Sequence, residues 1–364
     1  MQDRSEAAAS PSRPTSRPVA VVTGASGGVG RATAVAFAEA GFDVAVLARG
    51  EAGLRGAAED VRRAGGVALC CPVDVSDAAA LDRVAGRVED ELGPIDVWVN
   101  SAMTTVFAPF TAIDPVDFQR AVEVTFLGQV WGTRAALARM VPRDRGTIVN
   151  VGSALAYLSI PLQSAYCASK FASRGFVQAL RSELAHEGSR VRLTMVHLPG
   201  VNTPQFDWCK NQMSHRAQPV APIYQPELAA RTIVRAAVEG RRNKVLGVWN
   251  TMLVAASQLS PAFSEQYAAL AAWGSQLTDT PMTGDEPSNL HHPVDGDVDH
   301  GARGRFGDRA KGMAHPSFLA SLPTAARQAG VALVRTVADT RRRSRPSATR
   351  RALPRTMAHD QPAR

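Results

Sequence analysis

Short apolar runs alternate with helical stretches from Pro18 to about residue 250, and this alternation constrains the fold more than any other feature. The runs are apolar throughout, which is typical of strands that are covered on both faces. Strands of this kind that alternate with helices predict an α/β fold, a doubly wound sheet of seven parallel strands. The seven runs lie at 19–24, 43–49, 67–75, 95–102, 146–153, 190–200 and 244–250.

Composition divides the 364 residues into four parts. Residues 1–17, rich in Ser, Pro, Ala and Arg, are predicted to be disordered, and residues 18–250 form the single sheet domain. Residues 251–277 are predicted to add one or two apolar helices. Residues 278–364, rich in Pro, Gly, Asp and His, are predicted to be a largely disordered basic tail, with one possible short amphipathic helix at 325–339.

The formal net charge of +8 comes from that tail. Residues 301–364 carry 14 basic side chains against three acidic ones, which leaves residues 1–300 with a net charge of −3. This distribution argues against a nucleic-acid-binding protein as a whole. A contact of the tail with nucleic acid or an anionic membrane stays open, but a solvated extension is favoured.

Cysteine usage and apolar run length indicate a cytoplasmic protein. The four cysteines match no zinc-binding spacing, so no metal site is predicted, and a chain of this size needs no disulfide framework. The N-terminal segment has no apolar core of a secretory signal, and no run is long enough for a membrane span.

A glycine-rich stretch, TGASGGVG at 23–30, joins the first predicted strand to the first helix. Glycines at this turn let a backbone approach a pyrophosphate, and the helix N-terminus offers free N–H groups. Gly24, Gly28 and Gly30 therefore predict a dinucleotide site on a Rossmann-like domain.

The ends of the next strands bear on which dinucleotide binds. Arg49, with no carboxylate before Glu51, suits the 2′-phosphate of NADP, although it could instead be a solvated strand-end charge. NADP is favoured over NAD, which an acid at this point would hold. Asp74 is predicted to reach the adenine amino group, and Asn100 to brace the cofactor loop.

Tyr166 and Lys170, in the stretch SAYCASK, are four positions apart and would share one face of a helix. A phenol titrates near about 10, too high for proton exchange at neutral pH. An adjacent ammonium favours the phenolate, so the pair predicts a tyrosine whose pKa is lowered for acid–base work. The pattern alone also occurs by chance as a surface pair.

The motifs together resemble those of the short-chain dehydrogenases/reductases over about residues 18–250. The resemblance depends on their order: TGASGGVG, DV at 74–75, VNSA at 99–102, VGS at 151–153, YCASK at 166–170 and PGVNT at 199–203. It implies Tyr166 as general acid/base, Lys170 as its activator and a ribose contact, and Ser153 as the hydroxyl that orients the substrate oxygen. Cofactor contacts implied by the motifs are Gly24, Ser26, Gly28, Val29, Gly30, Val75, Ala102, Pro199, Gly200, Val201 and Thr203. The resemblance also implies a homodimer or homotetramer through helices 115–140 and 163–187.

Two positions depart from the family pattern. Met103 stands where the family has a glycine, and Thr125 stands where many members have an asparagine in the proton relay. We expect the relay to be rebuilt through Thr125 and water, the alternative being low turnover.

The sequence therefore predicts an NADP(H)-dependent oxidoreductase that interconverts an alcohol and a ketone or aldehyde. The long segment 201–227 is predicted to be a lid. Its apolar residues predict an apolar small-molecule substrate; they are Phe206, Trp208, Met213 and Tyr224, joined by Leu155 and Tyr157. The alternative is a nucleotide-binding sensor or scaffold with low turnover.

Overall fold

The computed structural model describes residues 17–260, 265–266 and 268–312. The predicted helix at 325–339 and the arginine-rich end of the tail lie outside the described residues. The sheet strands are β1 (Val19–Thr23), β2 (Asp43–Ala48), β3 (Ala68–Pro72), β4 (Ile95–Asn100), β5 (Thr147–Ser153), β6 (Arg192–Leu198) and β7 (Asn243–Val245). All pair in parallel in the order β7-β6-β5-β4-β1-β2-β3, which confirms the predicted sheet.

The principal helices are α1 (Gly28–Glu39), α2 (Glu51–Arg63), α3 (Ala78–Glu91), α4 (Pro115–Val122), α5 (Gly128–Met140), α6 (Ser164–His186), α7 (Pro226–Glu239) and α8 (Val248–Leu259). A π-helical turn, Glu123–Leu127, joins α4 to α5, so the long helix predicted at 115–140 is continuous but contains a widened turn. Its N-cap is Asp114, whose carboxylate accepts the Val116 N–H at 2.8 Å before Pro115 begins the helix.

Both faces of the sheet are buried, which explains why the strands contain continuous apolar runs. Ala20 and Val22 of β1 pack in one cluster with Phe37 of α1, while Val19 and Val21 pack on the opposite face. Full burial of each valine or phenylalanine side chain stabilises the fold by about 1.5–3 kcal/mol relative to exposure.

The strand order reverses beside β1, because β2 lies on one side of it and β4 on the other. In a doubly wound sheet, ligands bind at this switch point, beyond the carboxyl ends of the strands. The glycine-rich turn of 23–30 begins there.

Residues 278–312 differ from the predicted disorder, since the structure describes them packed on the sheet domain. We call residues 289–306 the strap. Leu290 is fully buried, and the Phe306 ring meets the Phe206 ring edge-on at 5.9 Å. An ion pair between Asp299 and Arg31 fixes the strap to α1. Two anchoring apolar side chains in a polar stretch are too few to predict order from composition.

The predicted lid contains a short helix, Gln205–Trp208, and three short strands. Each strand pairs with a distant segment: Lys210–Asn211 with Val106–Phe107, His215–Ala217 with Leu277–Pro281, and Ile223–Tyr224 with Ala310–Lys311. The segment is therefore tied to the body and to the region after residue 276.

Within the described part of the chain, no helix combines the length and apolar character that a membrane crossing needs. The same residues contain no group of three or more His, Cys, Asp or Glu side chains arranged for a metal ion.

Candidate active site

A cavity of about 330 Å³ lies beyond the carboxyl ends of the strands. Most of the predicted site residues line it: Gly24, Ser26, Gly28, Val29, Gly30, Arg49, Asp74, Val75, Ala102, Ser153, Tyr166, Lys170, Pro199, Gly200, Val201 and Thr203. Met103, which stands where the family has a glycine, also lines the cavity, whereas Asn100 and Thr125 do not.

The glycine-rich turn leaves room for a ligand and for close backbone packing. Gly24 has a φ of 65°, and a Cβ there would lie 2.7 Å from Ala102 Cα. A Cβ on Gly30 would overlap the backbone of Gly24. These glycines carry no side chains at the point where the N-terminus of α1 faces the cavity. This arrangement fits a pyrophosphate.

The proton-handling groups come from β5 and the first turn of α6. Ser153 ends β5, and its Oγ accepts the Leu155 N–H at 3.1 Å. Its side chain also acts on the Tyr166 hydroxyl, whose pKa it works to lower. One helical turn later, Lys170 Nζ donates to Val151 O at 2.8 Å and lies 5.5 Å from the centre of the Tyr166 ring. The helix therefore brings both side chains to one face, as their spacing predicts.

Burial sets the charge of both groups. It raises the pKa of Tyr166 to about 12, against the opposing hydrogen bond from Ser153. It lowers the pKa of Lys170 to about 7, because the ammonium is removed from water. The sequence predicted a lowered tyrosine pKa, and the structure differs because the effect of burial outweighs the opposing effect of Ser153.

At the other end of the cavity, Arg49 lies at the end of β2. Its guanidinium donates to carbonyls of the strap, at 3.1 Å for His291 O and 3.4 Å for Leu290 O, and also to Asn289 O. Burial lowers its pKa. The alternative interpretation of Arg49 as a solvated charge does not fit these contacts.

Asp74 lines the cavity, but its carboxylate is already engaged. It accepts the Ser76 N–H at 3.0 Å and the Ser76 hydroxyl at 2.8 Å, and it forms an ion pair with Arg120. Burial works to raise the pKa of Asp74, but the bonds from Ser76 and Arg120 outweigh it and lower the pKa.

Asn100 does not brace the cofactor loop. Its Oδ1 accepts Trp98 Nε1–H at 2.8 Å, and its Nδ2 donates to Asn150 Oδ1 and Thr133 Oγ1, each at 3.0 Å. These contacts join β4 to β5 and α5. The loop is braced instead by Thr23, whose Oγ1 accepts the N–H groups of Ser101 and Ala102 at 3.0 and 3.1 Å.

Thr125 lies in the π-helical turn and is fully buried. Its hydroxyl donates to Thr104 O at 2.7 Å and accepts the Thr104 N–H at 3.0 Å. Both functions of the hydroxyl are thus satisfied by backbone, and the neighbouring Val124 lines the cavity instead. Thr125 therefore lies outside the cavity lining to which Tyr166 belongs.

The substrate end is largely apolar. Of the predicted lid residues, Phe206 and Trp208 line the cavity with Leu155, whereas Met213, Tyr224 and Tyr157 do not. Sequence reasoning missed several lining residues: Leu158, Ile160, Val220, Trp249, Leu253, Asn289, Pro293, Val294 and Asp295. Only the apolar character of 155–160 and 248–254 could have indicated Leu158, Ile160, Trp249 and Leu253. Val220 and the strap residues carried no such pattern.

His197 lies behind Ser153 and outside the cavity lining. Its Nδ1 lies 3.2 Å from Ser153 O, and its Nε2 lies 3.2 Å from the Tyr157 hydroxyl. Burial lowers the pKa of His197 to about 4, so it is neutral near pH 7. His197 is therefore a buried residue of β6 that supports Ser153 from behind.

Comparison with known proteins identifies the family to which the chain is similar. The profile of the family described as short chain dehydrogenase matches residues 18–213. The uncharacterized oxidoreductase YxnA of Bacillus subtilis (strain 168) is 30% identical over 285 residues, which cover 78% of this chain and 80% of the relative. A 3-ketodihydrosphingosine reductase of Bos taurus is 32% identical over 241 residues, 64% of this chain and 72% of the relative.

Among the solved structures that resemble the chain, two contain a nicotinamide dinucleotide. A short-chain dehydrogenase/reductase from Burkholderia phymatum, in complex with NAD, matches with a TM-score of 0.63 and 21% identity, over 68% of this chain and 95% of that one. A metagenomic short-chain oxidoreductase in complex with NADP matches with a TM-score of 0.52 and 28% identity, over 63% and 96%. The first is evidence for the fold alone. Both nicotinamide dinucleotides thus occur among the structural neighbours.

Proposed function

Because the chain belongs to the short-chain dehydrogenase/reductase family, we propose that it interconverts an alcohol and a ketone or aldehyde, with Tyr166 as general acid/base. The chain is an oxidoreductase of that family. The observation that carries the finer proposal is that Ser153, Tyr166 and Lys170 line one cavity with the glycine-rich turn.

A bound nicotinamide dinucleotide would supply a hydride to the carbonyl carbon in reduction, or accept one from the carbinol carbon in oxidation. In the reduction direction, Ser153 donates a hydrogen bond to the carbonyl oxygen and orients it. Tyr166, which keeps its proton near pH 7 because its pKa is about 12, transfers that proton to the oxygen as the alcohol forms. Lys170, with a pKa of about 7, stabilises the remaining phenolate when protonated.

The apolar lining supports an apolar substrate. Apolar side chains line the cavity together with the catalytic residues, among them Leu155, Leu158, Ile160, Phe206 and Leu253. The relative from Bos taurus carries the name of a reductase of a ketone, 3-ketodihydrosphingosine. We therefore favour a ketone on an aliphatic chain.

Oxidation of NADH and NADPH by the purified protein, with ketones of increasing chain length, tests the proposal. Tyr166→Phe is expected to lower the rate by about 10²–10⁴-fold, because the proton donor is lost. Dinucleotide binding should be unchanged. Tyr224→Phe, which removes a tyrosine hydroxyl outside the cavity lining, is the matched control and should keep full activity.

The alternative is a nucleotide-binding sensor or scaffold. It is favoured by Thr125, which is sequestered by Thr104, and opposed by the complete set of Ser153, Tyr166 and Lys170. Equal background rates for the wild type and Tyr166→Phe on every ketone, together with tight dinucleotide binding, would support the sensor.

The predicted preference for NADP(H) over NAD(H) stays a prediction. It is supported by Arg49, a half-buried guanidinium at the cavity end where a 2′-phosphate would lie. Arg49→Gln should then weaken NADPH binding about tenfold more than NADH binding. Equal weakening would remove this support.

The predicted homodimer or homotetramer also stays a proposal. Phe171 of α6 and Val116 of α4 are exposed apolar side chains on the helices predicted to form the interface. Size-exclusion chromatography with light scattering measures the state directly, and a monomer at working concentration would contradict it.

A further inference from the structure

The end of β2 has no carboxylate of its own, and the strap places one beside it. Asp295 lines the cavity and is only 8% exposed. Its backbone is fixed at the start of α2, where Gly53 N–H donates to Asp295 O at 3.1 Å and Ala52 N–H donates to Gly296 O at 3.0 Å. The position of the side chain is therefore set by the packing of the strap on α2.

Two glycines of the sheet domain make room for this carboxylate. A Cβ on Gly50, the residue after Arg49, would overlap the Asp295 side chain. A Cβ on Gly53 would lie 2.5 Å from Asp295 Oδ2 and 2.7 Å from the Cβ of Ser26. The carboxylate thus lies between the end of β2 and the glycine-rich turn, where a Rossmann-like site holds the adenosine ribose.

Because Asp295 lines the cavity, a ligand bound there can donate to its carboxylate. Among the residues that the structure describes, no N–H or O–H group donates a hydrogen bond to it. Arg49 affects it only through charge, since the guanidinium donates to the carbonyls of 289–291. A buried carboxylate without hydrogen bonds is costly, and ribose hydroxyls are donors that would satisfy it.

The same contacts work against a phosphate. The N–H groups of Ala52 and Gly53 at the start of α2 would suit an anion, but strap carbonyls already accept from them. A 2′-phosphate would also meet the negative charge of Asp295 at short range.

We propose that Asp295 is a specificity-determining residue, which accepts hydrogen bonds from the hydroxyls of the adenosine ribose and disfavours a 2′-phosphate. The proposal depends on the dinucleotide binding proposed above. Arg49 and Asp295 then act in opposite directions, and their balance sets the preference between NADP(H) and NAD(H).

Titration of the full-length protein with NADH and with NADPH, followed by calorimetry, tests the assignment without depending on turnover. Asp295→Asn should raise the Kd for NADH about tenfold, because a charged acceptor is lost. The Kd for NADPH should be unchanged or lower. Asp297→Asn removes the same charge from an exposed position two residues away and should leave the ratio of the two constants unchanged.

Asp295→Ala provides a second variant in case the amide finds a new partner, and it should shift the ratio in the same direction. An unchanged ratio of the two Kd values in both variants overturns the assignment. Tighter binding of both dinucleotides by the same factor would also overturn it, because the strap would then only obstruct the site. A wild-type protein that binds neither dinucleotide contradicts the proposed function itself and so is distinguishable from these results.

Discussion

The two ends of the cavity are built differently. At the catalytic end, Ser153, Tyr166 and Lys170 come from one strand and the helix that follows it. At the adenosine end, Arg49 contacts His291, which lies 242 positions further along the chain. The catalytic end lies within residues 18–213, which the family profile matches, and the strap lies outside them. Helical spacing and strand order fix the first end. The second depends on a segment whose packing nothing local specifies, so the two ends should respond differently to substitution.

The largest effect is expected where the strap is anchored. Leu290 is fully buried against Ile113 and Ala165, so Leu290→Ala should lower the free energy of unfolding by about 2–5 kcal/mol through lost contacts and a cavity. Urea unfolding measures this. Val298→Ala, an exposed strap position, should change stability by less than about 0.5 kcal/mol. Similar values for the two variants would mean that the strap contributes little to the folded state.

The glycine-rich turn gives the second test, because it should serve both dinucleotides alike. Gly30→Ala places a Cβ onto the backbone of Gly24, which must shift, and we expect the Kd of NADH and NADPH to rise at least about 100-fold. Gly175→Ala, on the exposed side of α6 with open space around it, should instead stabilise by about 0.5–1 kcal/mol. Intact dinucleotide binding by Gly30→Ala would show that the turn does not carry the site.

The difference between the two ends also explains what the sequence could predict. Continuous apolar runs predicted all seven strands, and the Tyr166–Lys170 spacing predicted a shared helix face, because both depend on local periodicity. Asn100 was placed wrongly because its side chain points to Asn150 and Thr133, which no local pattern indicates. Thr125 lies in a π-helical turn. The regular 3.6-residue spacing of a helix does not predict the wider geometry of such a turn.

The strap could not be predicted for a different physical reason. Its composition is that of a disordered segment. Its order comes from the buried Leu290 and Phe306 and from polar contacts with residues more than 200 positions away, such as Arg31 and Arg49. Contacts at this separation leave no periodic pattern in either partner. Asp295 was therefore missed, although a carboxylate near the ribose was sought at the end of β2.

The third test concerns the burial of Lys170 at the catalytic end. Its pKa is about 7 in the folded protein, while an unfolded lysine stays protonated up to about 10.4. Between these values the unfolded chain binds more protons, so the free energy of unfolding should rise with pH by up to about 1.4 kcal/mol per pH unit. Lys170→Met should remove that part of the slope in urea unfolding between pH 7.5 and about 9.5. Parallel slopes for the two proteins would mean that Lys170 stays charged when folded.

The smallest effect is expected at the exposed tether of the strap, Asp299. Burial works to raise the pKa of Asp299, but the bonds from Arg31 and the Gly301 N–H outweigh it and lower the pKa. The stabilisation is therefore present above the ordinary carboxyl range and lost as pH falls through the folded pKa. Because the Asp299 side chain is 36% exposed, Asp299→Asn should cost about 1 kcal/mol or less near pH 7.

Hydrogen exchange distinguishes a local role of this tether from a global one. In Asp299→Asn, amides of the strap should exchange faster while those of α6 keep their protection, because only the adenosine end loses a contact. Lowering the pH of the wild type should produce the same local loosening as Asp299 becomes protonated. Faster exchange throughout α6 as well would show that the two ends are energetically one unit, and the contrast between them would then be only one of sequence distance.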